Sequence, residues 1–75
     1  MTLKELGEKL GEMYHNASAG DAVAMIHLFG IKYSDQITKS PFSKKDIAAA
    51  AGIQLSYATE ISKGVKLAKY VDPKY

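Results

Sequence analysis

Breaks at Ala19-Gly20, Ser40-Pro41, Gly52, Gly64 and Asp72-Pro73 cut this chain into pieces of helix length. Proline bars the residue before it from the helical region, and glycine readily takes the left-handed conformation that stops a helix, so such breaks end elements. Between them apolar residues return at steps of three and four, the period of one helix face. With 75 residues the chain makes one domain, spanning residues 1–75. At this size folding buries only about 60% of the surface the unfolded chain exposes, so the core is modest. The chain has no cysteine, which removes a disulfide framework, a thiolate zinc site and a cysteine nucleophile. An apolar share of 47% beside 24% charged residues is ordinary for a globular fold. The expectation is therefore an all-α fold, a small bundle of about four helices.

Thr2 with Glu5 three residues on forms a capping box, and Leu3, Leu6, Leu10, Met13 and Tyr14 follow on one stripe, which predicts a helix over 2–17. Gly7 and Gly11 adjoin that stripe at about 1 kcal/mol each, a cost that a close helix contact can offset. Two heptads of leucine and methionine also suit the face of a homodimer, so this helix is expected on the outside of the bundle. Asp21 can cap a second helix over 21–39, with Val23, Met25, Ile26, Phe29, Tyr33 and Ile37 spread over a broad apolar arc that suits a central position. Ser43 caps a third, Lys44 to Ala51, with Ile47 and Ala51 inward and Gly52 as its stop. A fourth starts near Ser56 with Ala58 and Ile61 inward. Beyond Gly64, Val65, Leu67 and Tyr70 suit a short strand as well as a helix; continuation through Lys69 is the expectation, with 65–75 an extension and tail.

The longest apolar stretch, Ala22 to Ile31, is interrupted by His27 and Gly30 and is far shorter than the roughly 20 residues of a membrane span. Lys4, Glu5, Glu8, Lys9 and Glu12 break up the first helix, so it cannot be the apolar core of a signal peptide, and a cytoplasmic protein is expected. His27 lies among apolar neighbours and reads as a packed side chain; His15 suits the dipole at a helix end. Neither has a partner at catalytic spacing, so no catalytic, metal-binding or cofactor-binding residues are assigned and no enzyme is expected.

Charge is uneven. Residues 1–38 hold three lysines against five carboxylates, a net −2, whereas residues 39–75 hold seven lysines against three, a net +4. A positive half points to a polyanionic partner. Every one of the ten Lys+Arg residues is lysine, which offers no bidentate guanidinium for guanine.

Two short helices joined through Gly52-Ile53-Gln54-Leu55 have the form of a helix-turn-helix unit. Counting Lys44 as the first residue of the unit, Ala48, Gly52, Ala58 and Ile61 stand at positions 5, 9, 15 and 18. Those places need a small residue at the helix crossing, a glycine at positive φ and apolar residues facing the core. The run Gly52-Ile53-x-x-Ser56-Tyr57-x-x-x-Ile61-x-x-Gly64 resembles the recognition segment of the Cro and phage-repressor type of DNA-binding domain, over residues 44–64. In that family the unit lies early in the domain, whereas here about forty residues precede it. The resemblance implies a non-enzymatic protein that binds double-stranded DNA, a transcriptional regulator or accessory subunit, with the helix from Ser56 in the major groove. Gln54, Ser56, Thr59 and Lys63 would then reach base edges. Lys44, Lys45, Tyr57, Lys66 and Lys69 would meet phosphates. Glu60 near the groove would accept from cytosine or repel phosphate. The alternative is a protein-interaction module that uses the same bundle without DNA.

Overall fold

The computed structural model describes residues 1–74. Five α-helices follow one another: α1 (Leu3–His15), α2 (Ala22–Lys32), α3 (Ser34–Lys39), α4 (Lys44–Ala51) and α5 (Ala58–Leu67), with a 3-10 turn over Leu55–Tyr57 leading into the last. No strand occurs among the described residues, so the small all-helical bundle is as expected.

Two helix starts are written in the sequence and realised atom for atom. The Thr2 hydroxyl accepts from the Glu5 N–H at 3.1 Å, and the Thr2 N–H donates to Glu5 Oε1 at 2.8 Å. Ser43 and Asp46 repeat the exchange at α4, at 3.0 and 3.1 Å. Each box satisfies two of the backbone groups that a helix end leaves unpaired. Asp21, by contrast, makes no side-chain cap bond to α2, correcting the expectation for that residue.

The helix expected over 21–39 is two helices. The helix breaks at Tyr33, with φ −110° and ψ 22°, and α3 starts at Ser34. Tyr33 keeps its ring 5.3 Å from that of Phe29 while Ile37 is carried into the core, leaving it 2% exposed. The first helix stops at His15 rather than at residue 17, and α5 runs through Gly64 as helix, not strand, but ends at Leu67, short of the expected Lys69.

Leu6, Leu10, Ile26, Phe29, Ile37, Ile47, Ala48 and Ile61 form one core to which all five helices contribute. Leu6 and Leu10 have no exposed surface, and Leu3 and Met13 are half-buried against the same cluster. The stripe expected to pair two chains is consumed inside one, and α1 is a wall of the bundle, not an external addition.

Small residues set how closely the walls approach. A Cβ added to Gly7 would stand 2.6 Å from Ala50 Cβ, so α1 and α4 touch backbone to backbone. The tightest contact joins α2 and α5. A Cβ on Gly30 would lie 2.7 Å from the Ile61 carbonyl oxygen, and one on Gly64 would collide with the carbonyl oxygen of His27. Since α5 is held to α2 along its backbone, the orientation of its outer face is fixed from behind.

Candidate nucleic-acid interface

The unit from Lys44 to Gly64 has the internal construction that its spacing calls for. Ala48 and Ile61 are completely buried and Ala58 nearly so. Gly52 ends α4 at φ 76°, the left-handed region where a side chain is strained, and nothing lies within 4 Å of where its Cβ would be. The Ile53 N–H then donates back to the Ala48 carbonyl at 3.1 Å, closing the turn. Gln54 is extended, with φ −62° and ψ 138°, and the 3-10 turn hands over to α5.

With Ala58, Ile61 and Gly64 turned inward, Thr59, Lys63 and Lys66 are left exposed on α5, and Gln54 and Ser56 are exposed just before it. The Ser56 hydroxyl donates to Gln54 Oε1 at 3.4 Å. The single hydroxyl hydrogen of Thr59 is shared between the Ser56 carbonyl at 3.1 Å and Glu60 Oε2 at 3.3 Å, so toward an outside ligand Thr59 offers lone pairs and its methyl group. Lys63 Nζ lies 3.2 Å from Glu60 Oε2. These bonds are long and surface-facing, of the kind that yields to a better partner.

Lys44 and Lys45 stand in the first turn of α4, where N–H groups and the helix dipole favour an anion. Tyr57 is half-buried: its ring rests against the core and lies 5.7 Å from that of Tyr14. The Tyr57 hydroxyl beside it, together with desolvation, pushes the Tyr14 phenol above its ordinary value. Tyr57 thus ties α1 to the turn. Lys69 lies past the end of α5, beside Ser34, Asp35 and Thr38 of α3, so it is set apart from the residues at the start of the helix.

His27 and Glu60 are the pair that spacing could not reveal. They lie 33 residues apart, yet His27 Nε2 is 2.7 Å from Glu60 Oε1. Glu60 turns toward the crevice between α2 and α5, with its side chain 19% exposed. Hydrogen bonds from His27 and then from Lys63 hold its carboxyl below the ordinary value. A polar residue in the apolar run of α2 was the one available signal; its partner could be found only once α2 and α5 were packed together.

Among the described residues no helix is long and apolar enough to cross a membrane, and no group of three or more histidine, cysteine, aspartate or glutamate side chains could hold a metal ion. Two helices crossing over a buried alanine, joined by a left-handed glycine and backed by further helices, define a helix-turn-helix type of domain. The sequence matches a family described as HTH-like domain over residues 2–74, and the chain belongs to that family. The match takes in α1, α2 and α3 as well as the unit itself. No curated protein and no solved structure matches the chain.

Proposed function

We propose that this is a small DNA-binding protein, a transcriptional regulator or an accessory DNA-binding subunit working in the cytoplasm, without enzymatic chemistry of its own. In this reading the start of α5 enters the major groove as in the Cro and phage-repressor type, and Gln54, Ser56, Thr59 and Lys63 meet base edges. Gln54 suits adenine and the Thr59 methyl suits thymine. Lys44, Lys45, Tyr57, Lys66 and Lys69 meet the phosphates on either side. The observation that carries the reading is the division of labour in residues 44–64: every side chain the unit needs for its own geometry is buried, and Gln54, Ser56, Thr59 and Lys63 remain exposed.

Titration of random duplex DNA at several salt concentrations is the test. With about four or five lysines on phosphates, the logarithm of affinity should fall with that of salt at a slope near −4, about −0.9 per contact. Absence of binding at about 50 mM salt with micromolar protein would reject the reading.

A second reading, an interaction module, is favoured by Leu67, Tyr70 and Val71 at the far end of α5, where Tyr70 is 81% exposed. Pairing of two chains would let two recognition helices read a longer site. It would have to use a surface such as this one, since the α1 stripe is occupied. Light scattering at about 0.5 mM, roughly where an association of 4 to 5 kcal/mol shows, reads the mass directly.

A further inference from the structure

Building on the DNA-binding reading, we propose that His27, on α2 and outside the helix-turn-helix unit, is a positioning residue that sets how much positive charge Lys63 presents to DNA. Glu60 is the link. Its carboxylate takes His27 Nε2 on one oxygen at 2.7 Å and Lys63 Nζ on the other at 3.2 Å. The two partners are differently placed: the His27 side chain is 32% exposed and that of Lys63 is 63% exposed. One is anchored in the crevice and the other is free to swing outward.

Charge counting gives the mechanism. With a neutral imidazole donating its Nε2 hydrogen, Glu60 and Lys63 cancel and the trio carries no net charge. With an imidazolium, Glu60 is neutralised from the inside, the trio carries one positive charge, and the Lys63 ammonium is released toward the DNA. Histidine is the side chain that changes charge within the physiological range, so DNA affinity becomes coupled to proton uptake at a residue that never touches the DNA. The mount is rigid, because Gly64 of α5 lies against the backbone carbonyl of His27 itself. Glu60 and Lys63 are the charged groups that α5 brings to this crevice. From the other elements against α2, neither Glu12 of α1 nor Asp35 of α3 comes within 4.0 Å of His27, while Tyr14 and His15 of α1 pack against each other, edge to face. Lowering of the Glu60 carboxyl by His27 ahead of Lys63 agrees with the order of contacts.

The experiment measures affinity for a random duplex by fluorescence anisotropy, with the full chain, between about pH 8 and about pH 5.5 and at several salt concentrations. The parent and His15→Gln should gain affinity as pH falls, by up to about eight-fold at about 0.1 M salt. That is the worth of one more unit of positive charge facing the duplex, taken as equal to a phosphate contact, and the salt slope should steepen by up to about 0.9. His27→Gln should hold affinity and slope constant over that range. Glu60→Gln, which frees Lys63 by removing the carboxylate charge, should bind at about pH 8 as the parent does at about pH 5.5; it carries the test if His27→Gln fails to fold by circular dichroism. If the parent binds DNA and His27→Gln keeps the full pH dependence, or Glu60→Gln binds no more tightly than the parent at high pH, the role of His27 is wrong and the DNA reading stands. If the parent binds no duplex at any pH, both fall together.

Discussion

Replacing Gly64 by alanine adds one methyl group at the closest approach of α2 and α5. The new Cβ would stand 2.9 Å from Gly30 Cα and would collide with the His27 carbonyl oxygen, and neither is a flexible side-chain tip that can move aside. Carbon atoms rest at about 3.5–4.0 Å, so the helices must separate by roughly 0.6 Å or more at the crossing. Ile26, Phe29 and Ile61 are completely buried around it and would lose contact as the gap opens. Overpacking of this kind costs about 1–3 kcal/mol, and alanine returns up to about 1 kcal/mol of helix propensity. Because backbone meets backbone here, the upper part of that range applies, and the expected net loss is about 2 kcal/mol. In a domain of this size such a loss lowers Tm by about 8–16 °C, read by far-ultraviolet circular dichroism and checked by urea unfolding. Gly11→Ala is the comparison, since its nearest neighbour would be the Ala51 carbonyl oxygen at 3.3 Å and a small adjustment suffices. Gly30→Ala combined with Gly64→Ala should cost less than the two single changes added, because both open the same gap. A Gly64→Ala protein as stable as the parent, or more stable than Gly11→Ala, would refute the close α2–α5 contact and the fixed orientation of α5 built on it.

Lys44→Ala and Lys45→Ala should each weaken binding to all duplexes alike and flatten the salt slope by up to about one unit, whereas Gln54→Ala and Thr59→Ala should relax base preference, by about 1–3 kcal/mol for a bidentate contact; affinities for a panel of sequences separate the two effects. Gly52→Val should lower stability by about 1–3 kcal/mol in thermal unfolding, with the cost arising from backbone strain at φ 76° and not from a clash, since the space around it is open. Glu60, held below the ordinary carboxyl value of 4.5, contributes stability that is present above that value and is lost as pH falls through its folded value. Urea midpoints measured from about pH 6 down to about pH 3 should therefore fall less for Glu60→Gln than for the parent.

What the sequence discloses is mostly local. The Thr2–Glu5 and Ser43–Asp46 boxes depend on residues three apart, and the left-handed Gly52 depends on itself alone, so each was readable without a fold. The apolar spacing placed Leu6, Leu10, Ile26, Phe29, Ile47 and Ile61 on inward faces, where they are found. Periodicity could not show where the second helix breaks, because Tyr33 keeps the spacing of a continuous stripe while its backbone leaves the helical region. Nor could it show which helix an apolar stripe covers; the face of α1 reads the same whether it meets a second chain or α2 and α4. At the candidate interface the exposed residues follow from the helix period. The His27–Glu60 pair does not, since it exists only through the packing of two helices whose close contact depends on Gly30 and on Gly64, the second of which reads in sequence as a break.

The order of partners along the chain has a consequence for how this protein is made. The principal contacts pair α1 with α4 and α2 with α5, so the two pairings interleave. A chain emerging from the ribosome presents the leucines of α1 and the Ile26–Phe29 face of α2 before their principal partners are synthesised, and no prefix that stops short of α5 holds both pairings. The full core therefore closes only once α5 is present. Cutting the chain between α3 and α4 would leave two fragments, each carrying one side of both pairings and able to regain the core only by finding the other.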